Sequence, residues 1–221
     1  MASSLWEPIF LSLKLAFGAT IIVLIFGLAA AKWMTAYSFK GKLLVELLFL
    51  LPIVLPPTVV GFILIVLLGG DSILGRAVES IFGQPLMFTQ WAALISATVV
   101  SFPLMYQSLS IGFQEINQEI IQAARLDRAS WLQILIYIEL PLIWKAVMAG
   151  IFLSFARALG EFGATLMFAG NIPGKTQTTA IAIYMAMESG DMKTAWTLVI
   201  VLMSISFVLL FVVQMLKKKS S

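Results

Sequence analysis

The sequence predicts an all-α polytopic membrane protein, and three observations carry that expectation. Of its 221 residues 61% are hydrophobic and only 11% charged, against roughly 25% charged in an ordinary soluble domain. Mean hydropathy is +1.02. The apolar residues gather into five runs, each long enough for the ~20 residues a helix needs to cross a bilayer. In hydrocarbon every backbone group must be satisfied within the protein, which selects helices.

The spans are expected at about Phe10–Ala31, Leu43–Leu68, Phe88–Ile111, Leu142–Gly170 and Ala195–Met215. The first resembles a signal peptide only superficially. It lacks a basic leader, since Glu7 precedes Lys14, and its apolar stretch is longer than a signal core, so it reads as a retained span. Lys and Arg set the orientation. Lys32, Lys40, Lys42, Arg125, Arg128, Lys145 and Lys217 to Lys219 fall in one set of loops, nine in all, while Arg76, Lys175 and Lys193 fall in the other. That asymmetry places the N-terminus outside and the C-terminus in the cytoplasm, with Lys14 snorkelling outward. No repeat or soluble segment interrupts the chain, so residues 1–221 read as one transmembrane domain with its core at about 10–215.

Two shorter segments are expected as outer helices. Ser72–Gly83 is too polar to span. Gln177–Asp191 places Ala180, Ile183, Tyr184 and Met187 on one helical face, as an interfacial helix would.

The absence of cysteine and histidine removes disulfides, thiolate metal sites and the commonest general base. A membrane enzyme would need paired carboxylates or a metal cluster at depth, and Glu161 is the one acid read as deep in a span.

The second span contains Leu51-Pro-Ile-Val-Leu-Pro-Pro-Thr-Val-Val-Gly61. Pro52, Pro56 and Pro57 remove backbone donors and kink the helix. Carbonyls freed in this way are tolerated where they are buried in protein or line a wet cavity. The segment is either a packed kink or a pathway wall in which Thr58 offers a hydroxyl to an oxyanion. In the fourth span Arg157 and Glu161 stand one turn apart and can pair. They form either a neutralised structural pair or a site at which Arg157 attracts an anion. Ala156, Gly160 and Ala164 make a small-residue stripe for close helix approach, and Gly163 adds flexibility. The pathway or gate candidates are Pro56, Pro57, Thr58, Gly61, Arg157, Gly160, Glu161, Gly163 and Thr165.

The loop from Gln114 to Leu140 is amphipathic where the others are merely short. Ile116, Ile120, Ala123, Ala124 and Leu126 alternate with Glu115, Gln118, Glu119 and Arg125. Ser130-Trp-Leu-Gln133 then forms a capping box that opens a second helix.

Here "QAARLDRAS…YIELP" resembles the cytoplasmic signature of type I ABC importer permeases, an E-A-A-x-x-x-G run followed at a distance by I-x-L-P. Gln122 stands for the signature glutamate and Arg128 for its glycine, while Ala123, Ala124, Ile138, Leu140 and Pro141 match. A left-handed turn at Arg128 costs roughly 1 kcal/mol or more relative to glycine. Together with "LPIVLPPTVVGF", "SFPLMYQSLSIGF" and "FARALGEFGATLMFAGNIPGKTQT", the chain looks like the molybdate permeases of that class over nearly its whole length. Related sulfate permeases share only the Arg-x-x-Gly-Glu core of the last motif.

The resemblance implies the type I importer fold, five transmembrane helices with short coupling and extracellular helices. It implies a permease in the prokaryotic inner membrane, paired with a second copy, two ABC ATPase subunits and an extracellular molybdate-binding protein, with no nucleic acid. It also implies contact with the ATPase through Gln122, Ala123, Ala124, Arg125, Asp127, Arg128 and Ser130. ATP and Mg would bind the partner, and no cofactor this chain. Gly170-Asn-Ile-Pro-Gly174-Lys175-Thr176 resembles a phosphate loop, but its glycines are four apart where that motif needs five, and no strand precedes it. Tungstate or sulfate in place of molybdate, and an ATP-independent secondary transporter, are the alternative readings.

Overall fold

The computed structural model describes residues 2–219, all helices and connecting turns. Helix α1 runs from Ala2 to Ala36 and α5 from Gln90 to Gln114. They lie parallel, because a Cβ on Gly18 would meet Leu94 and one on Gly27 would meet Met105 and Leu109. Helix α9, Trp144–Leu159, packs antiparallel to α5. Gly112 there faces Ala146, Gly150 faces Met105, and the Ser154 hydroxyl donates to the Ser101 carbonyl over 3.2 Å. A side chain at any of these glycines would crowd the neighbouring helix.

Among the described residues three helices are long and apolar enough to span outright, Leu5–Ala36, Gln90–Gln114 and Met192–Phe211, and two bent pairs raise the total to five if each is one span. The expected second span is one such pair and is sharper than a kink. Helix α2, Lys42–Val54, and α3, Pro57–Leu68, meet at 119°. Two successive residues each precede a proline, which disfavours helical backbone. Leu55 and Pro56 are accordingly extended, at ψ 141° and 137°, and Pro57 opens α3 at a first-turn position where no N–H is needed.

The fourth expected span is also not one helix. Helix α9 ends at Leu159, and α10, Gly163–Ala169, begins after a three-residue break. The stripe Ala156, Gly160, Ala164 is therefore discontinuous. Ala156 and Gly160 are exposed, while Ala164 is buried.

Both expected short segments are helical. Helix α4, Ile73–Phe82, is capped by the Ser72 hydroxyl, which accepts from the Gly75 N–H at 2.8 Å, and stops at Gly83 with φ +70°. Helix α11 spans Thr179–Glu188. Thr179, Ile181, Ala182 and Ala186 are buried against the bundle, and Tyr184 and Met187 of the apolar face are exposed. The reason is a polar tether. Ser12 on α1 accepts from the Thr179 N–H at 2.8 Å, and the Thr179 hydroxyl donates to the Pro8 carbonyl at 3.1 Å, which turns the small residues inward. The last helix, α12, Met192–Lys219, starts beneath Asp191. The Thr194 hydroxyl and its N–H, the latter 3.1 Å away, hold that exposed carboxyl below the usual carboxylate range.

The basic residues segregate with the fold. Lys32, Lys40, Lys42, Arg125, Arg128 and Lys145 lie at the end of the bundle where α1 and α5 finish, while Arg76, Lys175 and Lys193 lie at the other. Lys14 donates to Gln90 at 3.1 Å.

Candidate functional site: the connector and two broken helices

After α5 the chain turns through Asn117, whose side chain accepts from the Glu119 N–H at 2.9 Å, into α6, Gln118–Leu126. Asp127 caps its end. Arg128 then adopts φ +60°, the left-handed turn that the glycine of the signature would make freely. Both bonds of the capping box at Ser130 form. Gln133 Oε1 accepts from the Ser130 N–H at 2.8 Å, and Ser130 Oγ accepts from the Gln133 N–H at 3.3 Å. The break therefore survives the Arg128 substitution because the next helix is fixed independently.

Helix α6 is held by Ile116 and Ile121, which are buried in a core with Met34, Tyr106, Phe113, Ile134 and Ile143. Ala124 is partly buried against that core, whereas Gln122, Ala123, Arg125, Asp127 and Arg128 are exposed. Leu126 is 85% exposed, Trp131 73% and Ile120 42%. Large apolar side chains left this open suit a partner's surface or a membrane.

Beyond α7, Trp131–Ile134, the helix widens into a π-turn over Leu135–Glu139, then continues as α8, Leu140–Leu142. Trp131–Leu142 meets α9 at 77°. The π-turn buries Glu139, which pairs with Lys32 of α1. Glu161 is thus not the sole buried acid. Glu139 stood in plain view in "YIELP", but it follows buried Ile134 by five residues, which in a regular α-helix falls about 140° around the axis. Only the wider turn brings both inward, and nothing in the periodicity announces it.

At the other end of the bundle the two helix breaks meet. A Cβ on Gly163 would lie 2.9 Å from Pro57 Cβ and 3.4 Å from the Thr58 nitrogen. A Cβ on Gly61 would lie 2.6 Å from Met167 Cβ and 3.0 Å from Ala164 Cα. Helices α3 and α10 consequently pack backbone to backbone. Pro56, Pro57 and Thr58 are exposed, whereas Thr165 is 1% exposed and sits inside the bundle.

The α9–α10 break is governed by Glu161. Its Oε2 accepts from Arg157 at 2.7 Å, and its Oε1 accepts from the Ala164 N–H at 2.7 Å. One carboxylate thus neutralises the arginine and complements the positive N-terminus of α10. The Arg157 side chain stays 28% exposed while that of Glu161 is 2% exposed. A paired arginine of this kind presents little net charge to an anion.

The comparisons with known proteins bear on this arrangement. A family model described as "Binding-protein-dependent transport system inner membrane component" matches residues 9–221. YvgM of Bacillus subtilis (strain 168), provisionally named a molybdenum transport system permease protein, is 52% identical over 98% of this chain and 95% of its own length. The molybdenum transport system permease protein ModB of Escherichia coli (strain K12) is 35% identical over 97% of this chain and 94% of its own. The sulfate transport system permease protein CysT of Salmonella typhimurium is 32% identical over 94% of this chain and 75% of its own. Among solved structures, a chain of the MetNI methionine ABC transporter in an inward-facing conformation superposes with a TM-score of 0.70 over 100% of this chain and 96% of that one. At 15% identity that match speaks for the fold alone. On sequence and fold together, the chain belongs to the binding-protein-dependent transport system inner membrane components, the membrane-embedded permease subunits of ABC importers.

Proposed function

We propose that this chain forms the membrane path for molybdate in an ATP-driven importer, as a pair with a second copy of itself. An extracellular binding protein delivers the anion, and two separate ATPase subunits, which bind ATP and Mg, supply the work. The observation that carries this reading is the connector. Its helix α6 is anchored from behind by Ile121 and presents Ala123, Arg125 and Leu126 outward, a shape suited to a groove on another subunit. Gln122, Asp127, Arg128 and Ser130 complete the contact. In this reading the connector end is cytoplasmic and the N-terminus lies outside, in keeping with the basic residues gathered there.

The meeting of the two breaks is the gate. Exposed Pro56, Pro57 and Thr58 line the path, and Gly61, Gly160, Gly163 and Thr165 let the surrounding backbone close around it. Arg157 and Glu161 act first as the cap that keeps α10 in place. The discontinuous helices suit alternating access, since broken segments near a path can rearrange without unfolding the bundle. Sulfate is the second reading, favoured by the likeness to the sulfate permease CysT.

The experiment is uptake into proteoliposomes holding the permease, its ATPase and its binding protein. Molybdate accumulation that needs ATP and survives a large excess of sulfate supports the proposal. Equal competition by sulfate, or uptake without ATP, contradicts it.

A further inference from the structure

The π-turn of the connector holds a charge that the proposed function does not use. Glu139 is 3% exposed. Its Oε1 accepts from the Lys32 ammonium, and its Oε2 is buried without a hydrogen-bond partner. Lys32 also lies 5.4 Å from the centre of the Phe113 ring, so its position is set from two sides. Taking a carboxylate and an ammonium out of water is expensive, and an apolar pair of similar volume often serves stability as well or better. π-turns are rare and concentrate at functional positions. A buried charge placed by such a turn, tying the connector to α1 across 107 positions of sequence, calls for a role besides packing.

We infer that Lys32 and Glu139 are a positioning pair that passes movement of the connector to α1 during transport. The inference rests on the proposed importer function. Apolar side chains can slide over one another, whereas a buried ion pair fixes one register. The ammonium has three donors, and the unpartnered Oε2 gives it a second acceptor. As α6 and α7 are displaced by the ATPase, Lys32 can pass from one oxygen to the other without losing its partner. The tie therefore keeps its one register while the connector and α1 move together. Pro141 contributes by lacking the N–H that a regular helix would return toward Tyr137, which leaves the turn ahead of it free to widen.

The test is the number of ATP molecules hydrolysed per molybdate imported by the assembled complex in proteoliposomes. Lys32→Met, Glu139→Gln, the double variant and the exchanged pair Lys32→Glu/Glu139→Lys are compared with wild type. The pair's role predicts that both single variants and the double raise that ratio at least about fivefold, the scale of a modest coupling energy. The double variant, which leaves no lone charge, keeps wild-type assembly and melting temperature, and the exchanged pair brings the ratio back down. A double variant with the wild-type ratio, or one that fails to assemble, overturns the inference by giving the pair no role or only a folding role. Absence of ATP-dependent molybdate uptake in wild type is a separate result, which would remove the importer reading itself.

Discussion

Gly163 and Pro57 stand so close that one added carbon at position 163 would sit 2.9 Å from the proline ring. This contact joins the break between α2 and α3 to the break between α9 and α10. It fixes both broken helices through the proline ring and the backbone beside it. Gly163→Ala is therefore expected to cost about 1–3 kcal/mol, the usual cost of overpacking. Gly70→Ala, which meets nothing within 4 Å, is the control. Thermal unfolding of the detergent-purified protein measures both, and equal melting temperatures would show that the breaks do not bear on one another.

The Arg157–Glu161 pair predicts an asymmetry. Arg157→Ala leaves the Glu161 carboxylate, 2% exposed, as a lone buried charge, so it should cost about 3–5 kcal/mol. Glu161→Ala leaves the lone charge on Arg157, 28% exposed and open to water, and the Ala164 N–H without its acceptor, so it should cost less, about 1–3 kcal/mol. A double-mutant cycle on stability checks the coupling. If Glu161→Ala is the more damaging, its bond to Ala164 outweighs the buried charge.

Arg128 makes a prediction in the opposite direction. Its φ of +60° is uncommon for a side chain with a Cβ. Relief of that strain, about 1 kcal/mol, exceeds the entropy that glycine adds to the unfolded chain, so Arg128→Gly should raise the melting temperature slightly. Arg128→Val should lower it, because a β-branched residue fits the turn worse. A fall with glycine would mean that the arginine side chain contributes more than its backbone costs.

Much of this architecture was legible in the residues, and the parts that were not share a cause. The break at Pro56–Pro57 follows from local sterics, and so do the capping box at Ser130 and the turn at Arg128. Each is dictated by its neighbours in sequence. The angle of 119° between α2 and α3 was not legible, because prolines set where a helix stops and packing sets where the chain goes next. Helix α11 shows the same limit. Its apolar periodicity gave the face with Tyr184 and Met187, but not the tether from Thr179 to Ser12 that seats the opposite face on α1. In the connector, Ala123 and Ala124 look equivalent as a sequence, but only Ala123 is exposed. Ala124→Asp would therefore test the permease's own core as much as a docking surface, and Leu126 is the better probe.

Leu126→Glu is accordingly expected to leave the folded permease intact, since the side chain is 85% exposed. It should weaken ATPase association by at least about 30-fold, in line with loss of an interface anchor of roughly 2 kcal/mol. Co-purification of the ATPase at graded concentrations measures this. Wild-type recovery would remove Leu126 from the interface.

The central claim, that work from a separate ATPase enters through the connector, is tested most directly by a single thiol. The chain has no cysteine of its own, so Leu126→Cys can be cross-linked selectively to a cysteine placed in the groove of the ATPase. The account predicts that cross-linking forms from the cytoplasmic side, arrests molybdate uptake and is reversed by reductant. Labelling of that cysteine by an impermeant reagent outside intact cells, or undiminished uptake by the fully cross-linked complex, would contradict it.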